Sequence, residues 1–125
     1  MALQISVNDT KPSTLSVSLD GQLDSLTAPD LDKSIQTSLT QNIKTLVFDL
    51  QNLNFIASAG LRVFAKTRKA LKSRDGDVFF INITPQVKKV FDIVKAVPLS
   101  EVFANVEELD KYLAVMQSNL DEDDI

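Results

Sequence analysis

The order of hydrophobic patterns along the chain is the feature that most restricts its fold. Near the N-terminus, two stretches alternate apolar and polar residues on either side of a polar turn at 8–13. Their apolar residues are Leu3, Ile5, Val7, Leu15, Val17 and Leu19. This alternation predicts an antiparallel hairpin with one buried face, whose second strand ends at Asp20-Gly21. Two nearly continuous apolar runs, at 46–50 and 78–81, predict strands covered on both faces.

Helical patterns separate these strands. The helices are expected to begin near Thr27, Ser58, Thr84-Pro85 and Asn105. Thr27 is a candidate N-cap for the first helix, and Pro98 is expected to end the third. The last helix follows a short strand at 102–103 and has an apolar stripe of Val106, Leu109, Leu113 and Met116. This alternation predicts an α/β domain with a mixed β-sheet of four to five strands, formed by an N-terminal antiparallel hairpin and then βαβ units, with about four helices.

Length and charge predict one domain with an acidic tail. The chain has 125 residues, of which 44% are hydrophobic and 24% charged, as is typical of a globular domain. Its net charge is −4, and the four acids at 121–124 account for all of it. The remaining body has no net charge, which gives no electrostatic basis for binding nucleic acid. We expect a domain over 1–118 and a disordered tail over 119–125, either solvated or with a docking role.

Residue types that are missing from the sequence exclude several kinds of chemistry. There is no histidine and no cysteine. A Ser-His-Asp or Cys-His nucleophile and a zinc finger are therefore ruled out, and no metal or cofactor is expected. No apolar run approaches the roughly 18 residues of a membrane span, and the N-terminal residues lack the basic region of a signal peptide. We expect a cytoplasmic protein that is not an enzyme.

The segment 55–62, with the sequence FIASAGLR, places one hydroxyl between a buried strand and a helix. This hydroxyl belongs to Ser58. The N–H groups at a helix start are unpaired and carry about half a positive charge, so they favour a phosphate. Ser58 is therefore a candidate phosphorylation site, and it is also a candidate N-cap that stabilises the helix by about 1 kcal/mol. The segment is neither a P-loop nor a nucleophile elbow, because it lacks the Gly-Lys-Ser/Thr end and a histidine partner.

The helix after Ser58 has an apolar stripe and a basic face. The core-facing stripe is Gly60, Val63, Phe64, Thr67, Ala70 and Leu71. The same helix carries six cations and no acid: Arg62, Lys66, Arg68, Lys69, Lys72 and Arg74. These cations form either a solvated face or a patch for an acidic partner. Leu61 falls outside the core arc beside Ser58, so it is either an incidental exposed residue or a partner contact.

Several segments resemble the STAS domain family, named for sulphate transporter and anti-sigma factor antagonist. They are GQLDSLTAPDL at 21–31, LVFDL at 46–50 and FIASAGLR at 55–62. The agreement continues through PLSEVF at 98–103 and the last helix, so it covers about 3–117. Because the chain is little more than this domain, it resembles the free-standing bacterial anti-sigma factor antagonists more than the transporter-tethered members.

The resemblance implies a partner-switching function. In the family, an anti-sigma factor that is also a serine kinase of the GHKL type phosphorylates the serine that corresponds to Ser58. The unphosphorylated antagonist binds this anti-sigma factor and releases the sigma factor, and a PP2C-type phosphatase reverses the modification. The implied partner-binding residues are Asp24, Ser25, Ala57, Ala59, Gly60, Leu61 and Arg62. Asp24 matches an acid typical of the family, expected to orient the site or repel the phosphate.

One departure from the family pattern keeps an alternative open. The family often has aspartate directly before the phosphorylated serine, whereas this chain has Ala57. The alternative is a STAS interaction module that does not switch, within a signalling scaffold or a lipid-transport complex. In that case Ser58 is only a helix cap.

Overall fold

A computed structural model describes residues 3–94 and 101–123 of the chain. Within these ranges it contains five strands and four helices. The strands are β1 (Leu3–Lys11), β2 (Thr14–Leu23), β3 (Thr45–Ile56), β4 (Asp77–Ile81) and β5 (Val102–Phe103). The helices are α1 (Ala28–Ser38), α2 (Ser58–Lys72), α3 (Pro85–Val94) and α4 (Val106–Asp123).

The strands form one mixed sheet in the order β1-β2-β3-β4-β5. β1 and β2 form the predicted antiparallel hairpin, with Val7 opposite Val17. The pairs β2–β3, β3–β4 and β4–β5 are parallel, and a helix lies between the two strands of each pair in the sequence. The predicted α/β class, with a hairpin followed by βαβ units, is confirmed. Since parallel strands end at the same edge of the sheet, the segments that follow β2 and β3 are neighbours.

The sheet separates two hydrophobic layers, because successive residues of a strand point to opposite faces. On one face, Phe48 of β3 and Phe80 of β4 contact Phe64 of α2, with ring centroids 4.6 and 5.1 Å away. Residues of α1 and α3 complete this larger layer. On the other face, Phe79 of β4 contacts Phe103 of β5, and α4 packs against them. The central strands are therefore covered on both faces, as their continuous apolar runs predicted.

The hairpin turn is shorter than the polar segment 8–13 suggested. β1 and β2 extend into that segment and leave only Pro12 and Ser13 between them. Ser13 has a φ of 68°, in the left-handed region that tight turns use. The exposed polar residues Asn8 and Asp9 thus belong to β1 rather than to the turn.

The strands β2 and β3 are longer than predicted. Asp20-Gly21 does not end β2, which continues to Leu23. Gly21 has a φ of 120°, which glycine adopts readily, and the pairing with β3 shifts register beside it. β3 runs to Ile56, well beyond the predicted apolar run. These extensions bring the ends of both strands to the start of α2.

The predicted helices are confirmed, but the cap of α1 differs. Thr27 occupies the N-cap position, yet its side chain makes no capping hydrogen bond. Its hydroxyl instead donates to the carbonyl of Gln22 at 2.9 Å. α2 ends at Lys72, so Arg74, counted from the sequence among the cations of this helix, lies just beyond it. The predicted end of α3 near Pro98 lies outside the described residues.

α4 begins at the predicted signal. The side-chain oxygen of Asn105 accepts a hydrogen bond from the Glu108 N–H at 2.9 Å. Leu109 is buried as predicted, whereas Val106 is half exposed and does not belong to the buried stripe; the side chain of Met116 lies outside the described part. The helix continues to Asp123, within the segment predicted as a tail. The boundary at 118 and the disorder of 119–125 stay predictions.

Candidate functional site

The candidate site lies where β3 meets α2. Ala57 follows the last residue of β3 with an extended backbone, φ −101° and ψ 171°, and Ser58 is the first residue of α2. The Ala57 N–H donates to the carbonyl of Leu23, at the end of β2, at 2.8 Å. The Ala57 carbonyl accepts the N–H of Gly60 at 3.0 Å. Ala57 therefore fixes the start of α2 against the ends of two parallel strands.

Ser58 presents its side chain to solvent. The residue is exposed, and within the described residues its hydroxyl makes no hydrogen bond. Ala57 occupies the N-cap position, and no side chain in the described part of the chain caps α2. The prediction that Ser58 is the N-cap is therefore wrong. Its hydroxyl is free to react or to contact another protein.

Close packing sets the position of the first turn of α2. A Cβ added at Gly60 would lie 2.5 Å from Cγ of Leu23 and 3.0 Å from Cγ1 of Ile56. Contacts this short require the neighbours to move, so glycine is what lets the helix approach both strand ends. Gly60 is buried. It positions Ser58 and offers no side chain to a partner.

Asp24 organises the loop between β2 and α1, which adjoins Ser58. Its Oδ1 accepts hydrogen bonds from the N–H groups of Leu26 and Thr27, both at 3.0 Å. Its own N–H donates to the Thr27 hydroxyl at 2.9 Å. The hydrogen bond from the Thr27 N–H is the main reason that the pKa of Asp24 lies below its ordinary value. Asp24 is therefore charged at neutral pH and stabilises the loop.

Acid should weaken this loop. Because the folded-state pKa of Asp24 is lowered, its carboxylate stabilises the fold at neutral pH, and this contribution is lost as the pH falls through the folded-state pKa. We expect Asp24→Asn to lower the free energy of unfolding at neutral pH and to differ less from wild type in acid, below the folded-state pKa of Asp24. Chemical denaturation at both pH values measures the effect. Asp20→Asn, at an exposed strand position, is the matched control, and a pH-independent effect of Asp24→Asn would contradict the prediction.

Ser58, the predicted phosphorylation site, and the predicted partner-binding residues around it differ in exposure. Ser25, Ser58 and Arg62 are exposed, and Asp24, Ala57 and Ala59 are half-buried. Leu61, expected outside the core arc as a partner contact, is only 3% exposed and belongs to the main core. The prediction that Leu61 is exposed is wrong. Residues of neighbouring elements enclose this side chain, so the core covers more of α2 than the apolar stripe predicted from the helix alone. Leu61 offers no side chain to a partner.

Most cations of α2 interact with other elements. The ion pairs are Lys66–Asp32 at 2.9 Å, Arg68–Glu101 at 2.9 Å and Lys72–Asp77, and Arg74 donates to the Thr40 carbonyl at 2.8 Å. Within 3–94 and 101–123, Arg62 and Lys69 make no ion pair. The predicted basic face is thus largely neutralised. Among the residues that the structure describes, only these two of the six cations have no side-chain partner and stay free for another protein.

Two exposed apolar residues near the site were not predicted. Leu26, in the Asp24 loop, is 84% exposed, and Phe55, near the end of β3, is 50% exposed. Phe55 lies opposite Gln22 of β2, so the strand end and the loop share one edge of the sheet. The exposure of Leu26 could have been predicted, because it is the one apolar residue in the polar segment DSLT. Phe55 lies in the part of β3 beyond the predicted strand, so its position at the sheet edge could not be predicted.

A comparison with family models gives the classification. The model of the STAS domain matches residues 6–109 of the chain. The chain belongs to the STAS domain family. The match includes the end of β2, all of β3 and all of α2, and therefore the whole site around Ser58. The resemblance inferred from the sequence is confirmed.

Individual relatives agree with this classification. An anti-sigma-B factor antagonist of Staphylococcus aureus is 24% identical over 98 residues, which cover 78% of this STAS chain and 91% of the relative. The solved structure of the unphosphorylated anti-sigma factor antagonist SpoIIAA matches with a TM-score of 0.77 at 21% identity, covering 89% of this chain and 96% of that one. The phosphorylated form of the Bacillus cell fate determinant SpoIIAA matches with a TM-score of 0.71 at 20% identity, covering 88% and 99%. Both structures share the STAS fold of this chain.

Three further properties concern the described ranges only. No helix there is long and apolar enough to cross a membrane. No group of three or more carboxylates is arranged there to hold a metal ion. Every buried side-chain nitrogen or oxygen there has a hydrogen-bond partner. The described interior therefore contains no unsatisfied polar side chain that would mark an internal ligand site.

Proposed function

We propose that this STAS protein is an anti-sigma factor antagonist that switches partners through phosphorylation of Ser58. The unphosphorylated form binds an anti-sigma factor, which is also a serine kinase of the GHKL type, and thereby releases the sigma factor. Phosphorylation of Ser58 abolishes this binding, and a PP2C-type phosphatase restores it. The protein acts in the cytoplasm by binding and catalyses no reaction.

The exposed, unbonded hydroxyl of Ser58 is the observation that carries this proposal. It lies at the first residue of α2, where a kinase can reach it without unfolding the domain. The similarity to the Staphylococcus aureus antagonist, over 91% of that protein, supports the same function. The match to SpoIIAA in unphosphorylated and phosphorylated forms shows that the fold accommodates both states in a relative.

The modification replaces a neutral hydroxyl by an anion. The kinase transfers the γ-phosphoryl group of ATP to Oγ of Ser58, the serine proton is released, and ADP leaves as the phosphoanhydride bond breaks. The product carries about −1.5 to −2 charges at neutral pH. A change from 99:1 bound to 1:99 bound needs about 5.5 kcal/mol of differential affinity. Desolvation of the phosphate in an interface, and repulsion from acids of the partner, each contribute on the order of several kcal/mol.

Mapping of the phosphorylated residue tests the first half of the proposal. The protein is incubated with ATP and a GHKL-type kinase encoded beside its gene, and the product is mapped by mass spectrometry. We expect one phosphate on Ser58, none on Ser58→Ala, and unchanged modification of Ser25→Ala, whose serine is exposed in the adjoining loop. Ser58→Ala should stay within about 0.5 kcal/mol of wild-type stability, because the lost hydroxyl makes no hydrogen bond. Modification at another residue would refute this assignment.

Binding to the same kinase tests the second half. Titration calorimetry compares wild type, Ser58→Ala, Ser58→Asp and the phosphorylated protein. We expect wild type and Ser58→Ala to bind, Ser58→Asp to bind at least about tenfold more weakly, and the phosphorylated protein to show no binding. Ser73→Asp, beyond the other end of α2, is the control for an added charge and should bind like wild type. Equal affinity of the phosphorylated and unphosphorylated proteins would rule out the switch.

The residue Ala57 favours a second candidate function. It replaces the aspartate common in the family, and without that acid the protein would be a STAS module that does not switch, in a signalling scaffold or a lipid-transport complex. This candidate predicts that neither Ser58→Ala nor Ser58→Asp alters partner binding and that the kinase leaves the protein unmodified. The cap role that it assigned to Ser58 has no support, because Ala57 occupies that position.

A further inference from the structure

Arg62 differs from most cations of α2 because it has no acidic partner. Within the described chain, Lys66, Arg68 and Lys72 pair with acids of other elements, whereas the exposed side chain of Arg62 makes neither an ion pair nor a hydrogen bond. It lies four residues after Ser58 on the same helix. Side chains four residues apart in an α-helix are neighbours on one face, so Arg62 is within reach of a group attached to Ser58.

We propose that Arg62 is the intramolecular partner of the phosphate on Ser58. This inference rests on the proposed function, since it concerns the phosphorylated form. A guanidinium group presents paired N–H donors that match phosphate oxygens, and such charge-assisted hydrogen bonds are about twice as strong as neutral ones. No side-chain interaction among the described residues has to break, because the guanidinium of Arg62 has no partner there. The pair orders the phosphate over the first turn of α2 and removes a free cation from the surface that a partner meets.

The other charges around Ser58 leave Arg62 as the cation for this role. It is the only cation in the first eight residues of α2, and no acid lies in the first turn. Lys66, one turn further along, is engaged with Asp32 of α1 at 2.9 Å. Asp24, in the adjoining loop, is negative and repels the phosphate. That repulsion is the same in every variant below, so the comparison among them isolates the contribution of Arg62.

The pKa of the second ionisation of the phosphate shows directly whether Arg62 pairs with it. Phosphoserine is incorporated at position 58 during translation, so the protein is made without the kinase. Phosphorus NMR then follows the phosphate of wild type, Arg62→Gln and Lys69→Gln as the pH is varied. We expect the pKa of the phosphate to be about half a unit lower in wild type than in Arg62→Gln. Lys69→Gln, which removes another exposed cation of α2 that has no partner among the described residues and lies far from Ser58, should match wild type.

The outcomes separate this inference from the proposed function. Equal phosphate pKa values in wild type and Arg62→Gln would overturn the pair. Equal increases in Arg62→Gln and Lys69→Gln would also overturn it, because they would show a general effect of positive charge. A failure of the proposed function has a different signature: partner affinity would be the same with and without the phosphate. A phosphate pKa that depends on Arg62 alone supports the pair whatever the partner affinities are.

Discussion

Phe64→Ala should lower the free energy of unfolding by about 3 to 5 kcal/mol. Phe64 is fully buried, and its ring centroid lies 4.6 Å from that of Phe48, 5.1 Å from that of Phe80 and 6.1 Å from that of Phe91. Alanine would remove contacts between α2 and three other elements and leave a cavity that the hydrogen-bonded sheet cannot close. Urea denaturation followed by circular dichroism measures the loss.

Phe55→Ala is the matched control for this substitution. The same atoms are deleted, but Phe55 is half exposed at the end of β3, so we expect a cost of at most about 1 kcal/mol. A loss for Phe64→Ala no larger than that for Phe55→Ala would show that the aromatic cluster does not hold α2 on the sheet.

Leu61→Ala should lower the free energy of unfolding by about 2 to 5 kcal/mol, because Leu61 is part of the buried core in the first turn of α2. Its folded fraction should bind the anti-sigma factor with wild-type affinity, since the side chain does not reach the surface. Chemical denaturation gives the stability. Titration calorimetry at a temperature where the variant is folded gives the affinity.

Leu26→Ala is the corresponding substitution at an exposed leucine of the adjoining loop. We expect its stability to lie within about 0.5 kcal/mol of wild type, because Leu26 is largely in water already. A Leu61→Ala variant that keeps its stability but loses partner affinity would place Leu61 back on the partner surface. The pair of variants thus separates a packing role from a binding role.

The fold was predictable because its signals are local and repeated. Alternation around Val7 and Val17 gives the hairpin, and the unbroken apolar runs around Phe48 and Phe80 give the central strands. The position of Ser58 at the start of α2 followed from the same patterns. In each case, burial along one element carried the information, and the structure agrees with it.

The errors concern features that depend on contacts between elements. The helical arc of α2 placed Leu61 outside the core, but the arc contains no information about the neighbouring elements that enclose this residue. The cations of α2 were interpreted as a solvated face or a patch for a partner, because the acids that pair with them, such as Asp32 and Glu101, are distant in sequence. Ser58 was a candidate cap as well as a candidate phosphorylation site, because alanine, which occupies the N-cap position at Ala57, has no side chain that would predict a cap. Tertiary contacts, rather than propensity, determined these positions.

The tight fit of Gly60 against Leu23 has a consequence for how a signal at this surface would be transmitted. The start of α2 is packed tightly against the sheet, because a single extra carbon at Gly60 would collide with the end of β2. The hydrogen bond from the Ala57 N–H to the Leu23 carbonyl also holds the start of α2 against the end of β2. We therefore expect a group added to Ser58 to alter what the surface presents to a partner and to leave the fold beneath it unchanged.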